Sequence, residues 1–147
     1  MYCSMQPYAQ KLGLDVPLVS YNGALVKGAL SGKVYANSPL KLQTALDLLQ
    51  YVKENGHYVQ VYMGDKLYVK EENEYSRMYA KISGIQAVAI GEEIYSIKEA
   101  PNKLLLMTAA ENFGATWKDV EEKFKGRVDV KIIIWNLWNR ALINGRR

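Results

Sequence analysis

Few side chains in this sequence belong to the usual catalytic kit, and each has a plain structural use. His57 is the sole histidine. It follows Gly56 and opens an alternating stretch, and a general base needs a hydrogen-bonded partner that nothing around it supplies. Cys3 is the sole cysteine, which excludes an internal disulfide framework and a cysteine-based zinc site. With no second sulfur or histidine close in sequence, it reads as an inert thiol. No nucleophile-elbow motif surrounds a serine. Gly23, Gly28 and Gly32 match neither the dinucleotide nor the nucleoside-triphosphate loop. Asp65, Glu71, Glu72 and Glu74 form an acidic group without calcium-loop spacing, and they suit a solvated helix start.

One pattern points to binding. In the two-residue strand period, Val59, Val61, Met63, Leu67, Val69, Val128, Val130 and Ile132 share one side, predicted to face helices. Tyr58, Gln60, Tyr62, Lys66, Tyr68, Lys70, Asp129 and Lys131 share the other, with Lys103 beside them. Tyrosines supply rigid contact area with a polar tip, and lysines attract anions. Such a face is either an ordinary solvated sheet surface or a lid over a phosphorylated small molecule.

The elements that would position these residues follow from punctuation and period. Tyr8–Leu12 ends a helix at Gly13. Pro17–Tyr21 is a short apolar strand, and Ala24–Val26 with Lys33–Asn37 suggests a hairpin. Ser38-Pro39 predicts a helix start, and Leu42, Ala45, Leu46, Leu49 and Val52 carry that helix to Asn55-Gly56. Tyr58–Met63 and Lys66–Lys70 flank Gly64-Asp65 as a tight hairpin. A helix over Glu71–Ile82, a strand over Ile85–Ile90, a helical turn over Glu92–Lys98, a strand over Lys103–Thr108, a helix over Trp117–Phe124 and a strand from Val128 complete the order. Hairpins mixed with helix crossovers predict an α+β fold, a largely antiparallel sheet with helices on one face.

The chain has 147 residues, 49% of them apolar and 23% charged. That is about one globular domain and rules out a disordered chain. No apolar run reaches the ~18 residues of a membrane span, and no signal peptide is visible, so the expectation is a cytoplasmic protein with no membrane partner. The net charge of +4 is unevenly placed. From Lys125 to Arg147, six basic residues and one acid, Asp129, give +5, leaving −1 for residues 1–124. A basic end without a recognition motif predicts no nucleic-acid partner.

Leu14-Asp15-Val16-Pro17-Leu18-Val19-Ser20-Tyr21-Asn22-Gly23-Ala24-Leu25-Val26 resembles a segment of the Cof-type, class IIB phosphatases of the haloacid dehalogenase superfamily. The resemblance continues through Ser38-Pro39-Leu40, Val61-Tyr62, Leu67-Tyr68-Val69 and Pro101-Asn102-Lys103, where that family has its cap domain. It covers Gln6 to Ile132. The resemblance implies a magnesium-dependent phosphomonoesterase of sugar phosphates or similar metabolites. It implies substrate-binding positions at Asn22 and Gly23, in a core loop, and at Tyr62, Tyr68 and Lys103, in the cap. The family's Asp-x-Asp and Thr/Ser motifs would precede Met1, and its acidic metal motif would follow the last residue, so no catalytic or metal-binding residue carries over.

Ile133-Ile134-Trp135-Asn136-Leu137-Trp138-Asn139-Arg140 does not resemble the family, and a frame shift near Ile133 is the expectation. The domain reading is a core remnant over 1–37, a cap over 38–134 and a basic tail over 135–147. The expected function is a truncated phosphatase, inactive as this chain and binding no magnesium itself, with self-association through the exposed core fragment. The alternative is a stand-alone small-molecule or protein-binding module using the Tyr/Lys face.

Overall fold

The structure is a computed structural model. It describes residues 1–108, 110–135 and 138–145, with backbone alone for residues 110, 111, 132–135 and 138–145. Asn136, Leu137, Arg146 and Arg147, which the sequence reading placed in the tail, lie outside the described residues.

The chain opens with α1 (Tyr2–Lys11) and a three-stranded antiparallel sheet of β1 (Pro17–Ser20), β2 (Leu25–Gly28) and β3 (Val34–Asn37). The turn between β2 and β3 is held from outside. The Asp15 carboxylate accepts hydrogen bonds from the backbone N–H groups of Leu30 and Ser31, at 2.9 and 3.1 Å. These bonds hold its pKa below the ordinary carboxylate value. The Tyr2 hydroxyl donates to the Gly28 carbonyl at 2.8 Å and ties α1 to this sheet.

A second sheet of six strands follows, in the order β6-β5-β4-β7-β9-β8. Its strands are β4 (Tyr58–Met63), β5 (Lys66–Val69), β6 (Ala87–Ala89), β7 (Lys103–Thr108), β8 (Val128–Trp135) and β9 (Trp138–Gly145). Among the described residues, only β5 and β6 pair in parallel. The helices are α2 (Leu42–Glu54), α3 (Glu74–Ser83) and α4 (Ala110–Lys123), with a 3-10 turn at Gly91–Ser96. The architecture is thus mixed helix and sheet, as the sequence predicts.

Helix α2 starts three residues later than Ser38-Pro39 predicts. Ser38 donates its N–H to Ala24 and Leu40 donates to Pro101, so these residues lie extended as a linker. Helix α3 starts at a capping box: Asn73 accepts from the Ser76 N–H, and Ser76 Oγ accepts from the Asn73 N–H. Asn73 therefore marks the true start, and the acidic Glu71-Glu72 pair precedes the helix.

The middle of the large sheet, β4, β5 and β7, is buried on both faces. On one face, Val59, Val61, Leu104, Leu106 and Val128 pack with Leu48, Leu49 and Val52 of α2, Ile94 of the 3-10 turn, and Val120 and Phe124. On the other, Tyr62, Leu67, Leu105 and Met107 pack with Tyr2, Tyr21, Ala24 and Leu25 of the first unit, and with Tyr75, Met78 and Tyr79 of α3. The expected open Tyr/Lys face is therefore covered, and Tyr62 is 0% exposed.

The turn also corrects the predicted side of β5. A two-residue loop pairs Met63 with Lys66, Tyr62 with Leu67 and Val61 with Tyr68. Directly paired residues share a face, so odd positions of β4 meet even positions of β5. Reading the alternation straight through Gly64-Asp65 put Leu67 with Val61, which would need an odd number of loop residues. Tyr68 consequently joins the α2 face, opposite Tyr62.

The stretch set apart as a basic tail is in part a strand. Strand β9 lies between β7 and β8, pairing with both. Strands β7 and β8 thereby run parallel, joined by α4, with β9 filling the gap. Removing residues 136–147 would strip a ladder from each neighbour. We expect that deletion to lower the thermal midpoint by well over the 2–8 °C that ~1 kcal/mol produces. Calorimetry checks this, and an unchanged midpoint would mean that β9 adds nothing to the sheet.

Candidate functional site

The strands bring several of the expected site residues to one end of the large sheet. Register places Lys103 directly opposite Tyr62. The Lys103 ammonium lies 4.8 Å from the centre of the Tyr62 ring, a cation–π distance. Tyr62 meets Tyr21 edge-on at 6.1 Å and Tyr79 edge-on at 6.0 Å. Its hydroxyl donates to Gln60 Oε1 at 2.9 Å, and Gln60 is itself fully buried. Tyr62 is therefore a support that fixes Lys103 and the Tyr21 loop, and it presents no surface to a ligand. Tyr68 is not part of this constellation, being on the opposite face.

The loop Tyr21-Asn22-Gly23 is the first unit's contribution. All three residues have positive φ, at 51°, 57° and 92°. Asparagine and glycine tolerate this region, and a tyrosine rarely does. The cost for Tyr21 is offset by its surroundings: its ring is buried against Tyr62, and its hydroxyl donates to Asp65 Oδ1 at 2.7 Å. Asn22 is exposed and Gly23 half-buried on the outer side of this turn.

Asp65 is the residue that sequence reasoning placed wrongly, as a member of a solvated acidic group. It sits at the tip of the β4–β5 turn with φ of 60°. Its carboxylate accepts from Tyr21 and, at 3.5 Å, from the Cys3 N–H, while the Cys3 thiol donates to its carbonyl at 3.6 Å. A Gly-Asp two-residue turn is a hairpin signal, but nothing in the sequence says what its tip touches.

Burial and the Asp65 charge push the Tyr21 phenol and the Cys3 thiol above their ordinary values. Burial, then the Lys103 charge, lowers the terminal amine of Met1. Protonated Cys3 is a poor nucleophile. Further along the same end, the Asn102 side-chain amide donates to Asn37 Oδ1 at 2.7 Å, and the Asn102 N–H donates to the Tyr62 carbonyl at 2.8 Å. These bonds lock the start of β7, and hence Lys103, to the end of β3 and to β4.

The site thus holds the Lys103 ammonium, a carboxylate engaged by Tyr21 and Cys3, and a loop of polar backbone. It can bind and orient an anionic group. Magnesium does not fit here: it needs several oxygen ligands in near-octahedral order. No group of three candidate ligands occurs among the described residues. None of the described helices is long and apolar enough to cross a membrane.

The family model for haloacid dehalogenase-like hydrolase matches residues 1–143. The chain belongs to this family. The match takes in Ile133–Arg140, the stretch that the sequence reading set outside the resemblance. No curated protein matches. Among solved structures, the chain is similar to TM0651 from Thermotoga maritima, with 25% identity and a TM-score of 0.86, over 99% of this chain and 54% of that one. It is similar in fold to a haloacid dehalogenase-like hydrolase from Bacteroides thetaiotaomicron, at 15% identity and a TM-score of 0.82, over 98% and 55% of the two chains. A subclass IIB sugar phosphatase, BT4131, shares the fold at 13% identity and a TM-score of 0.66, over 96% and 51%. The chain spans about half the length of the solved structures it matches. The last of these carries the class read from the Tyr21-Asn22-Gly23-Ala24 segment.

The contact between turn and loop has measurable consequences. Tyr21→Phe keeps the ring packing and loses the bond to Asp65, an expected cost of about 1 kcal/mol, read from urea unfolding. Asp65→Asn keeps a residue that tolerates positive φ and removes the charge. Cys3 should then alkylate faster with iodoacetamide at mildly alkaline pH. An unchanged rate would show that burial alone holds the thiol protonated.

Proposed function

We propose that this chain acts as the substrate-covering part of a haloacid dehalogenase-like phosphatase, with residues 38–134, extended by β9, as the cap and residues 1–37 as a piece of the catalytic core. The observation that carries this reading is the placement of Lys103, held over Tyr62, at the same sheet end as the strained Asn22-Gly23 loop. One element comes from each unit, and a small phosphorylated metabolite has an ammonium on one side and polar backbone on the other. Lys103 attracts the anion, Asn22 and Gly23 line the approach, and Tyr62 holds the lysine in place.

The residues present bind and orient; they do not supply the chemistry. Phosphoryl transfer to water through a covalent step needs a carboxylate nucleophile, and in this family magnesium neutralises the charge on the transferring group. Asp65 is occupied by Tyr21 and Cys3 and does not meet the first need. The chain by itself is therefore proposed to be without hydrolytic activity. The sugar phosphatase of known fold supports a sugar phosphate as substrate class, and the cytoplasm is the compartment where such metabolites reside.

Two measurements test this. Purified chain with magnesium and p-nitrophenyl phosphate should give no turnover above a mock preparation. Magnesium-dependent hydrolysis that follows the protein through purification would overturn the inactive reading. Glucose 6-phosphate should bind at about the millimolar level, near −4 kcal/mol, and Lys103→Gln should abolish that binding in a calorimetric titration. Equal binding by the variant would remove Lys103 from the site.

A further inference from the structure

At the opposite end of β4 from the Gly64-Asp65 turn lies a cleft of about 570 Å³. Five residue steps along the strand, from Tyr58 to Met63, put about 16 Å between the two ends. The cleft is walled by the end of α2, the start of β4, the start of α3 and the middle of α4. Its aromatic lining is Tyr51, His57, Tyr58 and Tyr75, with the His57 ring 5.8 Å from that of Tyr51 and Tyr58 stacked on Tyr75 at 5.2 Å.

Two polar groups complete it. Asp119 is exposed at the rim. Thr116 also lines the cleft and is only 7% exposed, yet its hydroxyl makes no hydrogen bond among the described residues. A buried hydroxyl without a partner is costly and calls for one.

Charge decides what that partner is. Among the described lining residues Asp119 is the sole carboxylate and none is a lysine or arginine. Burial lowers the pKa of His57, so the imidazole is neutral at pH 7 and does not cancel the carboxylate. Asp119 accepts from the Tyr51 hydroxyl, and aromatic faces around one carboxylate favour a cation. The Tyr51 ring already carries one ammonium, that of Lys123 at 4.9 Å.

We propose that this cleft is a second binding site, for a small aliphatic amine, with the ammonium paired to Asp119, a hydrogen bond shared with Thr116 Oγ1, and the alkyl chain along the Tyr58–Tyr75 pair. It is distinct from the Lys103 end and takes ligands of opposite charge. Its test does not depend on phosphatase chemistry.

His57, the sole histidine, is a built-in reporter. Its imidazole resonances are followed by NMR at fixed pH during titration with putrescine, and separately with 1,4-butanediol, the neutral analogue of equal length. Putrescine should give a saturable shift and the diol none. Asp119→Asn, at an exposed position that leaves the fold intact by circular dichroism, should weaken putrescine at least about tenfold, as expected for a lost charge-assisted bond. Thr116→Val should weaken it by a smaller factor of about three to ten. Absence of a saturable putrescine shift, an equal response to the diol, or unchanged affinity in Asp119→Asn would each overturn the proposal.

Discussion

A two-residue turn fixes the parity of everything beside it. Because Gly64 and Asp65 alone separate β4 from β5, Tyr62 must share a face with Leu67, and Val61 with Tyr68. Slipping by one residue would exchange every side chain between the faces. Both faces of β4 are buried, so neither could accept the exchange: Val61 and Tyr62 are both fully enclosed, on opposite sides. The same turn points Asp65 at Tyr21, and so the junction between the two units inherits its geometry from the hairpin.

Most of the elements were legible in the sequence. The strand over Lys103–Thr108 is found at those bounds, and the helix ending at Asn55-Gly56 and the strand beginning at Val128 are where their periods put them. The reading failed where a rule of local pattern met a second layer. Tyr58, Gln60 and Tyr62 look like a solvent face, since two tyrosines and a glutamine are polar by type. They are covered here because tyrosine carries a large apolar ring with one polar tip, and each tip can find a partner: Tyr62 uses Gln60. Ser38-Pro39 has the residues of a helix start, yet Ser38 and Leu40 spend their N–H groups on Ala24 and Pro101. Tertiary hydrogen bonds outweighed a local propensity.

Of the five positions expected to bind substrate, Lys103 lies over the Tyr62 ring, Tyr62 meets Tyr21 next to Asn22 and Gly23, and Tyr68 is on the opposite face. Lys103 was legible from the resemblance and from its place at the start of β7. Asp65 was not, because its role depends on a contact 44 residues away in the chain, with Tyr21. Three consecutive residues of positive φ in Tyr21-Asn22-Gly23 mark where the fold accepts strain. Such strain persists only where the surroundings over-determine it, and here they do so by enclosing the ring of Tyr21 and bonding its hydroxyl.

The order β7-β9-β8 has a kinetic side. Strand β8 can take its parallel place, carried there by α4, before β9 has entered. Until β9 arrives, β7 and β8 each present an unpaired edge to a slot the width of one strand. A slot of that kind accepts any extended segment of suitable register, including the β9 of a neighbouring chain. Rapid, local closure of the β8–β9 hairpin protects against this, since its partners are adjacent in sequence while β7 is remote. The closure of that hairpin therefore bears on whether the chain folds alone or becomes tangled with its copies.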